Sequence, residues 1–204
     1  METPLVPLRV WVKAGVGAVL LHVGGALAID GVAWKAGLAY EVLAGQFLLL
    51  AGGVWLLLVA AVFLVRMRRW GYVDPLRIIL WVVGVAVSSA PLKAIGERMM
   101  EPFLEAAYEA YPEKHGALLR AYLLRQNIAP EKVEELVAQK IRLFEAYRAR
   151  QRNLAAVVGD RLKILGILGV VYGLILGLLL RGGGTAEPPR PDPKPGSAGS
   201  AASS

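Results

Sequence analysis

Four long apolar runs, separated by charged and turn-forming residues, set the pattern of the chain. They are Val10–Ile29, Val42–Val65, the stretch between Arg77 and Lys93, and the stretch between Lys163 and Arg181. A helix needs about 20 mostly apolar residues to cross the hydrocarbon core of a bilayer, and long basic side chains at its ends can reach the headgroups. Each run therefore predicts a membrane-spanning helix.

The polar segment 93–162 lies between the third and fourth runs and predicts helices outside the membrane. We expect Pro102 and Pro112 to bracket a short helix, with a second helical stretch to about Gln126. The APE sequence that follows is typical of a helix start, because proline is favoured in the first turn. No proline interrupts the remainder, so we expect one continuous helix from about 131 to 181.

This long helix carries a seam of mostly apolar positions that alternate spacings of four and three residues. The seam consists of Val133, Val137, Lys140, Phe144, Tyr147, Gln151, Leu154 and Val158. Such a seam requires a partner helix. The partner is either the 101–126 segment, which would then form a helical hairpin, or another subunit; the hairpin is the simpler alternative.

Five glutamates recur at every fourth position of the preceding arm, and they are Glu97, Glu101, Glu105, Glu109 and Glu113. Like charges at this spacing repel one another by a few tenths of a kcal/mol per pair unless an opposite charge relieves them. The series is therefore either a cation site or a face neutralised by basic residues of the long helix. The second, simpler alternative involves Lys140, Arg142, Arg148, Arg150 and Arg152.

These elements predict an all-α protein, a four-helix transmembrane bundle with an extramembrane helical hairpin between spans three and four. The composition agrees, because 56% of the 204 residues are hydrophobic and they are clustered. The expected domains are 1–92 with three spans, 93–162 with the hairpin, 163–181 with the fourth span, and 182–204. The last segment is rich in Gly, Pro and Ser and is expected to be disordered.

Glycine recurs at every fourth position of the fourth run, at Gly169, Gly173 and Gly177, with Gly166 about one turn earlier. Water does not drive apolar helices together inside a bilayer, so small residues that permit close backbone contact favour helix packing there. The pattern predicts that this glycine face packs on another helix. The third run, which has small residues of its own, is the expected partner.

Four polar side chains lie inside the predicted spans: His22, Gln46, Ser88 and Ser89. Because successive spans alternate in direction, all four fall in the half of the bilayer nearer to segment 93–162 and can meet. A histidine at such depth is either a proton relay or a metal or haem ligand, or else a neutral imidazole hydrogen-bonded within the bundle. The last alternative is the simplest, since no second histidine, cysteine or acidic residue lies inside a span.

The sequence contains no phosphate loop, dinucleotide fingerprint, GxSxG or HExxH motif. Asp30 and Asp160 lie near span ends without evident partners. An enzyme is therefore the less favoured hypothesis, and we expect no catalytic residue, cofactor or metal site. The net charge of +7 is spread over loops and ends, so nucleic acid is not an expected partner.

Basic residues in the short loops predict the orientation. The loop between the second and third runs contains Arg66, Arg68, Arg69 and Arg77, and the preceding loop contains only Lys35. Both termini are then expected in the cytoplasm of a multi-pass protein of the cell (inner or plasma) membrane. Lys93, Arg98, Arg161 and Lys163 flank the opposite side and argue for the reverse. The N-terminal order of Arg9 and Lys13, an apolar stretch and then Ala26-Leu27-Ala28 is also compatible with a cleaved secretory signal.

An early LLHVGG, four spans and a charged helical stretch entering the last span, FEAYRARQRNLAAVVGDRLKILGILGVVYGLILGLLL, together resemble a group of small bacterial membrane proteins. These are the four-span proteins related to copper-resistance protein D and to the transmembrane cisplatin-resistance-associated proteins. The resemblance covers most of residues 10–181 in topology and very few identities. Copper-resistance proteins are expected to carry further metal-capable residues in their spans, whereas this chain has only His22, so metal transport is not implied.

Two functions fit these features. The first is a non-enzymatic assembly or accessory component that packs through the glycine face and the hairpin, as a homo-oligomer or within a larger membrane complex. The second is a small transporter, or an ion- or proton-conducting subunit, that uses the polar cluster around His22. Beyond the lipid bilayer, the sequence identifies no partner.

Overall fold

The chain folds into six α-helices and two 3₁₀ turns in a computed structural model that describes residues 5–71 and 73–181. The helices are α1 (Leu8–Lys35), α2 (Ala44–Met67), α3 (Pro75–Glu109), α4 (Tyr111–Arg125), α5 (Pro130–Gln151) and α6 (Leu154–Arg181). The turns, Leu38–Tyr40 and Arg68–Trp70, follow α1 and α2. The all-α prediction is confirmed. The tail predicted for 182–204 lies outside the described residues.

Helices α1, α2, α3 and α6 are long and apolar enough to cross a membrane, as the four apolar runs predict. Large apolar side chains are also exposed on their outer faces, for example Leu20 at 63%, Leu80 at 63% and Leu178 at 69%. Helices that are apolar on both inner and outer faces are typical of membrane spans. The outer surface of these four helices therefore fits hydrocarbon.

Helix α3 contacts both α1 and α6 extensively, and α2 packs mainly on α1. Gly15 lies beside Trp81, and Leu27 lies beside Gly96, so α1 and α3 run in the same direction. Most buried side chains in the shared interior are apolar, and its fully buried members include Leu56 of α2.

The close contact between α3 and α6 involves three of the four predicted glycines. A Cβ atom at Gly169 would lie 2.9 Å from the Cβ of Ala86, and one at Gly173 would lie 3.0 Å from the Cα of Ile79. At Gly177 it would lie 3.5 Å from the carbonyl oxygen of Pro75. The order of these contacts makes α6 antiparallel to α3.

Gly166 differs from the other three glycines, because a Cβ atom there would meet nothing within 4 Å. It lies on the same helix but away from the surface of α3. The α6 surface against α3 is therefore formed by Gly169, Gly173 and Gly177.

The short helix expected between Pro102 and Pro112 was a wrong prediction. Helix α3 continues through Pro91 and Pro102 and ends at Glu109. A proline inside a helix removes one backbone hydrogen bond, but packing of the rest of the helix on its neighbours can outweigh that loss. Pro112 does start a helix, because it lies in the first turn of α4.

The continuous helix expected from 131 to 181 was also a wrong prediction, because α5 ends at Gln151 and α6 begins at Leu154. The side chain of Asn153 accepts a hydrogen bond from the amide of Ala156 at 3.2 Å, which is the role of a helix N-cap. The Arg150 guanidinium binds Asp160 across the break at 2.9 Å. Asp160, expected to lack a partner, therefore has one.

On the N-terminal side of the break, α5 packs on α4. Val133 and Val137 are buried, and both belong to the predicted seam. Gly116 of α4 faces Val137 and Ile141, where a Cβ atom would lie 3.6 and 3.5 Å from their side chains. The first part of the seam therefore contacts α4 of the same chain.

Replacing Gly173 with leucine tests the contact between α3 and α6. The added side chain would meet the backbone of α3, which cannot move aside as a flexible side chain can, so we expect a loss of about 1–3 kcal/mol in unfolding free energy. The measurement is the thermal or denaturant unfolding of the protein in detergent. Gly166→Leu is the matched control and should change stability little, since its side chain enters open space. Equal losses in the two variants would contradict this arrangement.

Candidate functional site

Polar side chains occupy every fourth position in the second half of α3, at Ser89, Lys93, Glu97 and Glu101. Positions four apart share one face of a helix. Ser89 is fully buried, and the side chains of Lys93 and Glu97 are only 14% and 13% exposed. We call these four residues the α3 polar stripe; it faces the interior of the protein.

The stripe is neutralised by charges from other helices. The Lys93 ammonium lies 3.3 Å from the carboxylate of Asp30 on α1 and 3.7 Å from that of Glu97. The Arg161 guanidinium on α6 lies 2.9 Å from Glu97. Arg148 on α5 lies 3.6 Å from Glu101. Asp30, Lys93, Glu97 and Arg161 thus form one ion network that joins α1, α3 and α6, and Glu101 pairs separately with Arg148 of α5 and with Arg98.

Asp30 was expected to lack a partner, and no acidic residue was expected inside a span, but Asp30 and Glu97 both belong to the ion network. The outer face of α3 beside it is apolar: Leu92, Ile95, Met99 and Phe103 are 43, 45, 70 and 77% exposed. The network therefore lies behind an apolar surface that continues well past Lys93. Lys93 had been taken as the end of the span because it is charged, but its side chain points inward.

The length of α1 indicates where the apolar layer ends. Lys13 and Lys35 are both exposed and lie about 33 Å apart along the helix, at about 1.5 Å per residue. The hydrocarbon core of a bilayer is about 30 Å thick. Asp30 lies more than one helical turn inside Lys35, so the ion network falls at the inner margin of that layer.

His22 is 1% exposed and lies on the inner face of α1. Among the described residues, neither ring nitrogen has a hydrogen-bond partner. The contact of Leu27 with Gly96 fixes the register of α1 on α3 and places His22 at about the depth of Ser89. The hydrogen bond expected for a purely structural imidazole is therefore not seen in the part of the chain that the structure describes.

The structure buries two of the four predicted polar residues, His22 and Ser89, at a similar depth. Ser89 is buried beside α1, and its hydroxyl donates to the carbonyl oxygen of Val85 at 2.7 Å. Ser88 is exposed on the outer face of α3, because adjacent residues point about 100° apart on a helix. Gln46 lies in the first turn of α2, and its side chain lies outside the described residues.

The other half of the interior is apolar. One turn from Ser89 in the direction of the α3 N-terminus, the buried face continues with Val85 and then Val82 and Ile78. Leu64 and Met67 of α2 complete this part of the core. The polar interior therefore extends from Glu101 to the level of His22 and ends there.

An aromatic cluster covers the outer end of the polar interior and consists of Trp34, Tyr40, Tyr108, Tyr111, His115 and Phe144. Tyr111 stacks on Phe144 at 3.9 Å and on His115 at 4.6 Å between ring centroids. The Tyr40 hydroxyl donates to the carbonyl oxygen of Ala107 at 3.0 Å. The cluster fixes the ends of α1 and α3 against α4 and α5, and burial raises the pKa of Tyr111.

The predicted acidic series is neutralised only in part. Of the five basic residues expected to face it, Arg148 does so, whereas Arg150 binds Asp160. Elsewhere, Arg120 of α4 donates two hydrogen bonds to Glu134 of α5, and these hold the pKa of Glu134 below its usual range. Within residues 5–71 and 73–181, no group of three or more His, Asp or Glu side chains could hold a metal ion.

No protein-family model, characterised protein or solved structure matches this chain. The resemblance to proteins related to copper-resistance protein D therefore stays a prediction, and the site has to be interpreted from its own chemistry. The residues that sequence reasoning missed are Lys93, Glu97 and Arg161 as interior groups. The available signal was the four-residue spacing from Ser89 to Glu101, which puts these charges on one helix face.

Replacing Glu97 with glutamine tests the ion network. The change leaves Arg161 without its nearest carboxylate at a poorly hydrated position, so we expect unfolding in detergent to become easier by about 1–3 kcal/mol. Glu105→Gln is the control, because Glu105 is exposed on the same helix and has no ion pair within the described residues. The same unfolding midpoint in the two variants would contradict a stabilising role of the ion network.

The aromatic cluster predicts a loss of stability at high pH. A folded-state pKa above the unfolded value means that the folded protein holds the tyrosine proton more tightly. The stability that Tyr111 contributes is therefore complete below pH about 10 and is lost as the pH rises through its folded pKa. Melting temperatures measured between pH 8 and 12 should fall less steeply in Tyr111→Phe than in the wild type. Parallel curves would exclude Tyr111 as a source of the decline.

Proposed function

We propose that the chain is a four-helix transmembrane bundle of α1, α2, α3 and α6 with an extramembrane helical hairpin of α4 and α5, and that it binds and transfers protons through His22. Its function would be that of a small proton-coupled transporter or proton-conducting subunit. The observation that carries the proposal is the fully buried imidazole of His22, unpartnered among the described residues and located where the α3 polar stripe ends.

The contacts within the chain favour this function over assembly. The glycine face and the seam were the reasons to expect assembly with another subunit, because each surface requires a partner helix. Gly169 and Gly173 contact α3, and Val133 and Val137 are buried at α4. These surfaces therefore require no second subunit, and a homo-oligomer or larger complex stays an untested prediction.

The chemistry of the interior suits proton transfer. A neutral imidazole can accept a proton, and an ionisable residue at this depth is by default a functional candidate. The Ser89 hydroxyl at the same depth can both donate and accept a hydrogen bond. One and two turns further along α3, Lys93 and Glu97 offer a charged exit toward the hairpin.

The charged groups between the depth of His22 and the hairpin come from three helices. Asp30 lies on α1 itself, Lys93 and Glu97 lie on α3, and Arg161 lies on α6. The described α2 side chains at this depth are Trp55 and Leu56, and neither is titratable. Trp55 donates to the carbonyl oxygen of Leu21 at 3.2 Å, so it also holds α2 against the turn that precedes His22.

The apolar half of the interior gives the pathway a direction. Because the polar stripe ends at the level of His22, protons would reach the imidazole from the hairpin side in the conformation described. With both termini in the cytoplasm, that side is the non-cytoplasmic one. Transfer to the cytoplasm would then require a second conformation that opens the half lined by Val82 and Ile78.

Proton flux into proteoliposomes tests the proposal. A pH gradient is imposed with the membrane potential clamped by potassium and valinomycin, and a trapped dye reports the internal pH. We expect flux above that of empty vesicles for the wild type and a loss of most of this flux in His22→Leu, because leucine fills the site but cannot take up a proton.

The neighbouring serines provide a matched pair for the same assay. Ser89→Ala should lower the flux, since it removes the buried hydroxyl, whereas Ser88→Ala should not, since Ser88 is exposed on the outer face. Wild-type flux in His22→Leu, or no flux above empty vesicles in the wild type, would rule out this function.

A further inference from the structure

An apolar groove runs along the outer surface between the last turns of α1 and the middle of α3. Its volume is about 600 Å³, within the range of small-molecule sites. It is lined by Leu27, Gly31, Val32, Met100 and Phe103, and by Lys35 at the end of α1. The groove lies on the lipid-facing surface, away from the inner face that carries His22.

Gly31 keeps the groove open. A Cβ atom at Gly31 would meet only the terminal methyl group of Met100, at 3.4 Å. A larger side chain at this position would therefore fill the groove without displacing the backbone. The open volume depends on the absence of a side chain at this one position.

The depth of the groove indicates what can enter it. Val32 and Phe103 beside it are 63% and 77% exposed, so its mouth opens onto the same apolar surface that fits hydrocarbon. Lys35 lies at the level where the apolar layer ends and the headgroups begin. A molecule that matches both the apolar wall of the groove and the polar surroundings of Lys35 has an apolar chain and a polar head.

The charge at the end of the groove selects an anionic head. Lys35 is exposed and has no ion-pair partner among the described residues. No carboxylate among the described residues lies within ion-pair distance of it, since Asp30 pairs with Lys93 and Glu101 pairs with Arg98 and Arg148. Basic residues at the membrane surface attract anionic lipids.

A second copy of the chain fits this groove less well. Two identical chains that meet through the same patch would place two Lys35 side chains near one another, because a twofold interface pairs each surface with itself. That arrangement brings like charges together.

We propose that this groove binds one phospholipid of the surrounding membrane, with an acyl chain along Gly31 and an anionic headgroup at Lys35. The proposal does not depend on proton transfer at His22.

Native mass spectrometry of the full chain in detergent tests it, with phosphatidylglycerol and phosphatidylcholine of identical acyl chains added separately. We expect one phosphatidylglycerol to be retained in preference to phosphatidylcholine. Lys35→Gln should weaken phosphatidylglycerol binding about fivefold, which corresponds to the ~1 kcal/mol of one lysine near an anionic surface, and should leave phosphatidylcholine unchanged. Gly31→Leu should weaken both lipids, because it fills the groove.

Two control variants lie on the same helix. Lys13→Gln removes an exposed lysine at the opposite end of α1, and Gly24→Leu adds a side chain where nothing lies within 4 Å. Both should bind lipid as the wild type does. Equal affinity of the wild type for the two lipids, or equal effects of Lys35→Gln and Lys13→Gln, would overturn the proposal. A dimer that Gly31→Leu dissociates would also overturn it, since the groove would then belong to a second copy.

Discussion

A charge behind an apolar surface has to find its partner within the protein, and this requirement determines how the long helices are placed. Leaving one member of a buried ion pair unmatched costs several kcal/mol, far more than the contribution of an exposed pair. Lys93 needs Asp30, which fixes α1 on α3, and Glu97 needs Arg161, which fixes α6 on α3. The resulting register also brings His22 to the depth of Ser89.

The contact between α3 and α6 is held differently at its two ends. Near the start of α3, the backbones approach closely because Gly169 and Gly173 have no side chains. Near the other end, contact is made by the extended side chains of Glu97 and Arg161. The glycines permit the approach, and the ion pair prevents the helices from sliding along one another. Neither the glycines nor the ion pair alone would set both the distance between α3 and α6 and their register.

The structure could be predicted from the sequence where a residue pattern depends on one helix alone and not on its neighbours. A mostly apolar run close to 20 residues long predicts a helix apolar enough to cross a membrane whatever surrounds it, so these four helices were predictable. The end of α3 was not, because a charged residue was taken to lie outside the apolar layer, and only its orientation shows otherwise. The break between α5 and α6 had a visible signal in Asn153, a favourable N-cap, but the apolar seam continues across it.

In the candidate site, too, some features could be predicted from positions along the helices, and others depend on how the helices pack. The shared depth of His22 and Ser89 follows from counting residues along successive helices that alternate in direction, which makes α1 and α3 parallel. The separation of Ser88 from Ser89 follows from the rotation of one residue around the helix, which needs the interior face to be known. The pairing of Glu97 with Arg161 could not be predicted, because it depends on how α6 returns along α3 after α4 and α5.

The separation of Glu97 and Arg161 along the chain has a consequence for biosynthesis. The two residues are 64 positions apart. At about 5–20 residues per second, a ribosome needs roughly 3 to 13 seconds to add the arginine after the glutamate. Asp30 and Lys93 have both been translated before Glu97, whereas its partner on α6 comes later. Until the last helix has been made, Lys93, which Glu97 shares with Asp30, is therefore the one cation of the ion network that Glu97 can pair with.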